Sequence, residues 1–147
     1  MKLVKDILNV KGRDVWSVSP DATVYEALQL MADKNIGAVL VVEEGEVVGI
    51  LSERDYARKV ILKGRSSLNT PVKEIMTSKV YYVSPEQTIE ECMTLMTEKR
   101  IRHLPVLEDG RLVGIISIGD VVKAIISDQQ VTIQQLENYI LGRGYGQ

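Results

Sequence analysis

Apolar residues recur at two different spacings along this chain, and each spacing predicts one kind of element. In two stretches they lie at positions i, i+3, i+4 and i+7, which places them on one face of an α-helix. Between these stretches, apolar runs of a strand's length are separated by glycine turns. The helical stripes are Val24, Ala27, Leu28 and Met31, and then Ile89, Cys92, Met93 and Met96.

The starts of these elements carry local signals. A short strand precedes each helix and ends at a Ser-Pro pair, because the residue before a proline is disfavoured in helix. Each helix then opens with a threonine followed three residues later by a glutamate, the spacing of a capping box. The strands are Val15–Val18 and Val80–Val83, and the capping pairs are Thr23 with Glu26 and Thr88 with Glu91.

Each helix is followed by two apolar runs that meet at a glycine turn, the pattern of a β-hairpin. Glu44-Gly45 and Asp109-Gly110 stand at the two turns. A second helix is predicted to begin near Ser52 and near Ser117. The predicted order is therefore β-α-β-β-α, twice.

The order repeats because the sequence repeats. Shifted by 65 positions, Val15–Ile61 aligns with Val80–Ile126 without a gap, and 19 of the 47 aligned residues are identical. Upstream, Val4–Leu8 resembles Val72–Met76 at a shift that is larger by three residues. A repeat of this size has a marginal core of its own. We therefore expect the two copies to pack about a pseudo-twofold axis, with clefts of the kind that ligands favour between them.

The predicted fold class is α/β (α+β), with two repeats and a C-terminal helix. The first repeat is assigned to residues 4–63, a linker to 64–71, the second repeat to 72–128, and a C-terminal helix and tail to 129–147. In the last segment a helix is predicted over Val131–Leu141, with Ile133, Leu136 and Ile140 on one face. Gly142–Gln147 is expected to fray.

The composition argues against several classes of function. The 147 residues include 18 basic and 20 acidic side chains, so no broad basic surface is available for nucleic acid. No apolar run approaches the ~20 residues that span a bilayer, and no signal peptide is evident, so we expect a soluble, cytoplasmic protein without membrane partners. One cysteine and one histidine exclude an intramolecular disulfide and a metal site built from several such ligands.

The most informative local pattern is a duplicated Gly-x-x-Ser-x-x-Asp motif, at Gly49–Asp55 and Gly114–Asp120. In a structural interpretation, Ser52 and Ser117 cap helices, and an aspartate in the first turn suits the helix dipole. In a functional interpretation, a carboxylate beside a cleft accepts two hydrogen bonds from a ribose diol, and free helix N–H groups bind phosphate. The two roles can coexist.

On these motifs, together with Leu104-Pro105-Val106, the chain resembles the cystathionine β-synthase (CBS) domain family. The tandem pair is similar to a Bateman module of the stand-alone bacterial type. Members of this family bind AMP, ADP, ATP, S-adenosylmethionine or NAD(H) in clefts between paired units. The resemblance implies that Asp55 and Asp120 hold ribose hydroxyls, with Ser52 and Ser117 near the ribose or phosphate.

The resemblance also implies phosphate contacts. The segment around Arg102 and His103 is similar to one that supplies basic phosphate contacts in the nucleotide-sensing subunit of AMP-activated protein kinase. The alternative is a solvated strand end. The matching first-repeat residues, Gly37 and Ala38, carry no charge, so the two clefts should differ in phosphate affinity. Arg54 is a candidate to supply charge there from another direction.

Three further positions are candidates for ligand contact, and two of them have a structural alternative. Trp16 and Tyr81 are equivalent in the two first strands, where an aromatic ring either stacks on adenine or packs between the halves. Thr77 resembles a family position that touches ribose or phosphate, with Asn9 as its loose counterpart. Cys92, on a helical stripe, is expected to be an inert core thiol.

The leading hypothesis is a regulatory module that senses adenine nucleotides and signals their occupancy to a partner protein through a homodimer. AMP is the favoured ligand, with NAD(H), ATP or S-adenosylmethionine as alternatives. An enzyme is disfavoured, since the sequence offers no catalytic residues in a recognisable arrangement and few residues outside the repeats. The remaining alternative is a protein-interaction adaptor with unoccupied clefts, which the presence of both aspartates disfavours.

Overall fold

The computed structural model describes residues 2–140, where helices and strands alternate largely as the apolar spacing predicts. Two 3-10 turns, Ile61–Lys63 and Val72–Glu74, accompany them. The helices are α1 (Val4–Lys11), α2 (Val24–Lys34), α3 (Glu53–Lys59), α4 (Ile89–Lys99) and α5 (Ile118–Ile140), and the strands are β1 (Ser17–Val18), β2 (Ala38–Glu43), β3 (Glu46–Ser52), β4 (His103–Glu108) and β5 (Arg111–Ser117).

Both hairpins turn at the predicted residues. Glu44 and Gly45 have φ angles of 51° and 81°, and Asp109 and Gly110 have φ angles of 52° and 78°. A positive φ at both central residues gives the tight turn whose twist matches that of the flanking strands. The resulting register pairs the serine that ends each hairpin with the first residue of the preceding strand, Ala38 with Ser52 and His103 with Ser117.

The helices α2 and α4 begin at the predicted caps and bury most of the predicted faces, while Leu28 and Met93 are half-buried. Thr23 Oγ1 accepts the Glu26 N–H at 3.1 Å, and Thr88 Oγ1 accepts the Glu91 N–H at 3.1 Å. Each cap satisfies a backbone donor that the first helical turn leaves unpaired. The buried positions are Val24, Ala27 and Met31 in α2 and Ile89, Cys92 and Met96 in α4.

The chain divides into two compact units, which we call internal and terminal. The internal unit is Asp14–Tyr81, and the terminal unit joins the residues up to Arg13 to those from Tyr82 onward. In the internal unit, β1, β2 and β3 form a sheet that contacts α2 and α3; in the terminal unit, the β4–β5 hairpin accompanies α1, α4 and α5. The helix α1 precedes the first repeat in sequence but belongs to the unit of the second.

In the terminal unit α1 has the role that the turn Val72–Glu74 has in the internal unit. Lys5 donates its backbone N–H to Pro85 O at 2.9 Å, and Lys73 makes the equivalent bond to Pro20 O at 3.0 Å. Pro85 and Pro20 are equivalent in the sequence repeat. The resemblance between these two upstream segments therefore reflects a shared structural role.

The glycine of each repeated motif is required because a residue with a Cβ would overlap a neighbouring side chain. A Cβ added to Gly114 would lie 2.6 Å from Leu8 Cδ2, and one added to Gly49 would lie 2.5 Å from Met76 Sδ. Leu8 is only 1% exposed, so it has little room to move. The glycine lets an apolar side chain of the upstream segment lie directly on the strand.

The strand predicted at Val80–Val83 is wrong: this segment is not a strand, and Val83 forms an isolated bridge to Val106 of β4. In the internal unit, Leu40 donates its N–H to Trp16 O at 3.1 Å and so extends the pairing of β1. The residue equivalent to Leu40 is Pro105, which has no N–H to donate. The proline therefore limits the parallel pairing in the second repeat.

The separate C-terminal helix predicted over Val131–Leu141 is instead a continuation of α5. No glycine or proline lies between Gly119 and Gly142, so nothing in the sequence breaks the helix after Asp128. Ile133 and Leu136 are exposed on it. The predictions for the Ile140 side chain, for Leu141 and for Gly142–Gln147 lie outside the described residues.

Candidate functional site

In the internal unit the Ser-x-x-Asp motif forms a reciprocal cap where β3 passes into α3. Asp55 Oδ2 accepts hydrogen bonds from the Ser52 N–H at 3.0 Å and from Ser52 Oγ at 3.1 Å, while Ser52 Oγ accepts the Asp55 N–H at 3.2 Å. Lys59, one helical turn later, places Nζ 3.1 Å from Asp55 Oδ1. Its ammonium group also donates to Ile75 O at 3.0 Å. The structural interpretation of this motif is therefore confirmed.

Asp120 makes the same cap in the terminal unit, but its lysine comes from a distant segment. Asp120 Oδ2 accepts the Ser117 N–H at 2.8 Å, and Ser117 Oγ accepts the Asp120 N–H at 3.2 Å. Lys11, the last residue of α1, places Nζ 2.7 Å from Asp120 Oδ2 and 2.9 Å from Ile115 O. The side chains of Lys11 and Asp120 are 32% and 20% exposed, so the pair lies at a solvent-accessible edge of the unit.

Sequence reasoning missed Lys11. The available signal was the similarity of Val4–Leu8 to Val72–Met76, which, extended by three residues, places Lys11 opposite Lys79. A lysine at both positions was therefore visible in the sequence. Its contact with Asp120 was not, because the two residues lie 109 positions apart.

The charges around Asp120 shift the pKa values of two groups. Partial burial opposes the ionisation of Asp120, but the hydrogen bonds from Lys11 and Ser117 outweigh it and lower the pKa of that carboxyl. Burial is the largest cause that lowers the pKa of His103, the positive charges of Lys11 and Arg102 add to it, and Asp120 opposes it. His103 is therefore mostly neutral at pH 7, and an anion bound beside it would raise its pKa.

The terminal unit brings together four of the predicted residues, at the start of α5. Arg102 is exposed and accepts the Ile118 N–H on its backbone oxygen at 2.8 Å. His103 is the cross-strand partner of Ser117. The two basic residues thus lie next to the Ser117–Asp120 cap, as a phosphate-binding role would require.

The equivalent place in the internal unit is built on the same backbone but lacks the charges. Gly37 O accepts the Glu53 N–H at 3.0 Å, as Arg102 O accepts its donor in the terminal unit. Ala38 is the cross-strand partner of Ser52. Gly37 and Ala38 therefore occupy the positions of Arg102 and His103, and the predicted difference in phosphate affinity stays a prediction.

Two other predicted residues also lie near this cap. Arg54 is exposed on the first turn of α3, immediately before Asp55. Thr77 exchanges backbone hydrogen bonds with Ile50 at 2.9 and 3.0 Å, which places it beside the strand two residues before Ser52. Both positions are compatible with contact to a ligand held at Asp55.

The two predicted aromatic residues each have a lysine of their own unit against the ring. Trp16 is 37% exposed, and Lys34 Nζ lies 4.2 Å from its ring centroid. Lys79 Nζ lies 5.7 Å from the ring centroid of Tyr81. Such cation–π contacts are attractive. A base that stacked on the same ring face would have to displace the lysine.

Three further features of residues 2–140 concern metal binding, membrane spans and the cysteine. Residues 2–140 contain no group of three His, Cys, Asp or Glu side chains placed to hold a metal ion. No helix found in this range has the length and apolar character needed to cross a membrane. Cys92 is fully buried, and burial raises the pKa of its thiol to about 11, as expected of a core cysteine.

Comparisons of the sequence and of the structure both match this chain to proteins with CBS domains. The family model of the CBS domain matches residues 4–62 and again residues 72–127. The chain is 43% identical to the mitochondrial CBS domain-containing protein CBSX3 of Arabidopsis thaliana, over 97% of this chain and 73% of that protein.

Two solved structures extend the comparison. A protein with CBS domains from Burkholderia ambifaria is 56% identical, with a TM-score of 0.84 over 87% of this chain and 96% of that one. The CBS domain pair of protein MJ0100 is 26% identical, with a TM-score of 0.75 over 87% and 98% of the two chains. That pair was solved in complex with 5′-methylthioadenosine and S-adenosyl-L-methionine.

Proposed function

The chain belongs to the CBS domain family, in two tandem copies, and we propose that it is a regulatory module that binds adenine nucleotides, AMP foremost. The observation that carries the proposal is the duplicated Ser-x-x-Asp cap. Each unit holds the aspartate of this motif at the start of a helix, at an edge that solvent reaches. A helix cap uses only part of the hydrogen-bonding capacity of a carboxylate, so each aspartate can also accept hydrogen bonds from a ligand.

Each aspartate is suited to bind a ribose. The vicinal hydroxyls of a ribose donate two hydrogen bonds, and an ionised carboxylate accepts them more strongly than a neutral group does. The low pKa of Asp120 keeps its carboxylate ionised at neutral pH. In this proposal Asp55 and Asp120 bind the ribose, and the hydroxyls of Ser52 and Ser117 lie near the ribose or phosphate.

Arg102 and His103 make the terminal unit the better phosphate site. A guanidinium donates two parallel hydrogen bonds to phosphate oxygens, and a phosphate next to His103 would favour the protonated imidazole. Arg102→Ala should therefore weaken AMP binding far more than adenosine binding. Equal losses for the two ligands would contradict the phosphate role.

The internal unit has fewer charges for the same ligand. Arg54 and Thr77 are its candidates for phosphate and ribose contacts, and Trp16 is the candidate platform for the base if Lys34 moves aside. Tyr81 is proposed as the corresponding aromatic contact of the second repeat. We expect weaker binding of AMP here than in the terminal unit.

The proposed ligands are those that contain an adenosine group. Both compounds bound by the MJ0100 pair contain an adenosine group. AMP is favoured for this chain because Arg102 and His103 offer positive charge to a phosphate. NAD(H), ATP and S-adenosylmethionine share the adenosine group and are the other candidates.

In this proposal the signal to a regulated protein partner passes through a homodimer, and α5 offers a surface for the dimer contact. Its exposed apolar residues suit a homodimer contact, and a single charge placed among them should separate the protomers. Leu136→Glu should convert a dimer into a monomer in light scattering, whereas Gln130→Glu on the same helix should not. A wild-type monomer would contradict the dimer. The exposed apolar residues are Val122, Ile126, Ile133 and Leu136.

A thermal-unfolding panel with AMP, ADP, ATP, NAD⁺, NADH, S-adenosylmethionine and adenosine tests the proposal. A ligand at 100 times its dissociation constant adds about 2.7 kcal/mol of stability at one site. A selective shift supports the proposal and identifies the ligand. A flat panel would refute it and favour the adaptor alternative.

A further inference from the structure

The carboxylate proposed to bind ribose in the terminal unit is already paired. Asp120 Oδ2 receives two donors, the Ser117 N–H at 2.8 Å and Lys11 Nζ at 2.7 Å. The ammonium group of Lys11 is fixed further by Ile115 O at 2.9 Å. A ribose diol that used both carboxylate oxygens of Asp120 would therefore compete with Lys11 for Oδ2.

In the internal unit the equivalent aspartate pairs with a lysine of its own helix. There the lysine partner, Lys59, lies four residues after Asp55 on the same helix. The residue four positions after Asp120 is Ala124, so α5 supplies no lysine at that spacing. Lys79, which corresponds to Lys11 by sequence, lies over the ring of Tyr81 instead. The long-range pair is thus a feature of the terminal unit.

A cavity adjoins the Lys11–Asp120 pair. Its volume is about 420 Å³, and Lys2, Lys11 and Lys123 line it together with Asp6 and Asp120. Asp6 Oδ2 accepts the Leu3 N–H at 2.8 Å, in the cap of α1. Three ammonium groups against two carboxylates leave the cavity with a net positive charge, which favours an anion.

We propose that Lys11, in addition to Arg102 and His103, makes the terminal unit select phosphate-bearing adenine nucleotides over neutral nucleosides. This inference rests on the function proposed above. When a ribose takes Asp120, Lys11 loses its counterion and turns toward the cavity. A nucleoside offers it no anion there. Asp6, the other carboxylate of the cavity, already accepts the Leu3 N–H, and Lys2 and Lys123 add like charges. A nucleotide offers its phosphate, which pairs with the displaced ammonium.

Lys11 therefore acts in two opposite ways. It penalises adenosine, because the ion pair with Asp120 is broken without compensation. It assists AMP, because the broken pair is replaced by an ammonium–phosphate pair. Removing the ammonium group should improve adenosine binding and leave AMP binding unchanged or weaker, so that the affinity ratio of the two ligands falls.

The test is calorimetric titration of AMP and of adenosine into the full chain and into Lys11→Met, which keeps the length of the side chain. Asp55→Asn serves as the common background, so that the terminal unit dominates the titration. Lys79→Met is the matched control, since it makes the same change at the equivalent position. Lys11→Gln is a second variant, and urea unfolding without ligand verifies that each variant is folded.

We expect the AMP-to-adenosine affinity ratio to fall by about tenfold or more in Lys11→Met and Lys11→Gln, which corresponds to about 1.4 kcal/mol. Lys79→Met should keep the ratio of the background protein. An unchanged ratio in the Lys11 variants, with AMP still bound, would overturn this inference and leave the proposed function intact. Absence of AMP binding to the wild-type chain would overturn both.

Discussion

Replacing Asp120 tests the structural and the ligand-binding role of one carboxylate. In Asp120→Ala the Ser117 N–H loses its acceptor, which costs about 1 kcal/mol for a helix cap. The pair with Lys11 is lost as well, and for a partly exposed pair this costs about 0.5–1 kcal/mol. The sum, about 1.5–2 kcal/mol, should lower Tm by about 3–8 °C in a chain of this size without preventing folding.

Asp120→Asn separates the two roles. An asparagine oxygen still accepts the Ser117 N–H, so the stability cost should be only the lost ion pair, about 0.5–1 kcal/mol. Its neutral amide binds a ribose diol less well than a carboxylate does. If the loss equals that of a hydrogen bond to a charged group, about 1.5–3 kcal/mol, AMP affinity at the terminal unit falls about 10- to 150-fold.

Urea unfolding and calorimetric titration with AMP, both in the Asp55→Asn background, measure these effects. The stability difference between the parent and Asp120→Asn should also depend on pH. Because the pKa of Asp120 is lowered on folding, its contribution is complete above the ordinary value of about 3.9 and is lost as the pH falls through the lowered pKa. AMP affinity unchanged in Asp120→Asn would refute the ribose assignment and leave a purely structural cap.

Three other predictions concern packing and titration. Gly114→Ala should destabilise the protein by about 1–3 kcal/mol in urea unfolding because the new methyl overlaps Leu8, whereas Gly119→Ala, whose Cβ meets only Ser117 Oγ at 3.6 Å, should not. His103 has a lowered pKa, so wild-type stability should fall between pH 7 and pH 5 and the fall should be smaller in His103→Gln; equal pH profiles would contradict this. Cys92 should react with a thiol reagent only after unfolding, since its pKa is raised to about 11; rapid labelling of the native protein would show otherwise.

Much of each unit was predictable because its determinants are close in sequence. A capping pair spans three residues, a hairpin turn requires two residues at positive φ, and a helical stripe recurs every three or four positions. Thr88 with Glu91, Asp109 with Gly110, and Ser117 with Asp120 therefore behave as their spacing indicates. The repeat then doubles each signal and makes the candidate site recognisable.

The sequence by itself determined most of the elements and the two Ser–Asp caps, since these depend on neighbours a few residues apart, and it showed the repeat when compared with itself. The tertiary structure decided which distant segments meet. It placed α1 in the unit of the second repeat, laid Leu8 on Gly114 and brought Lys11 to Asp120. Such contacts depend on the packing of whole elements, and local spacing rules do not contain that information.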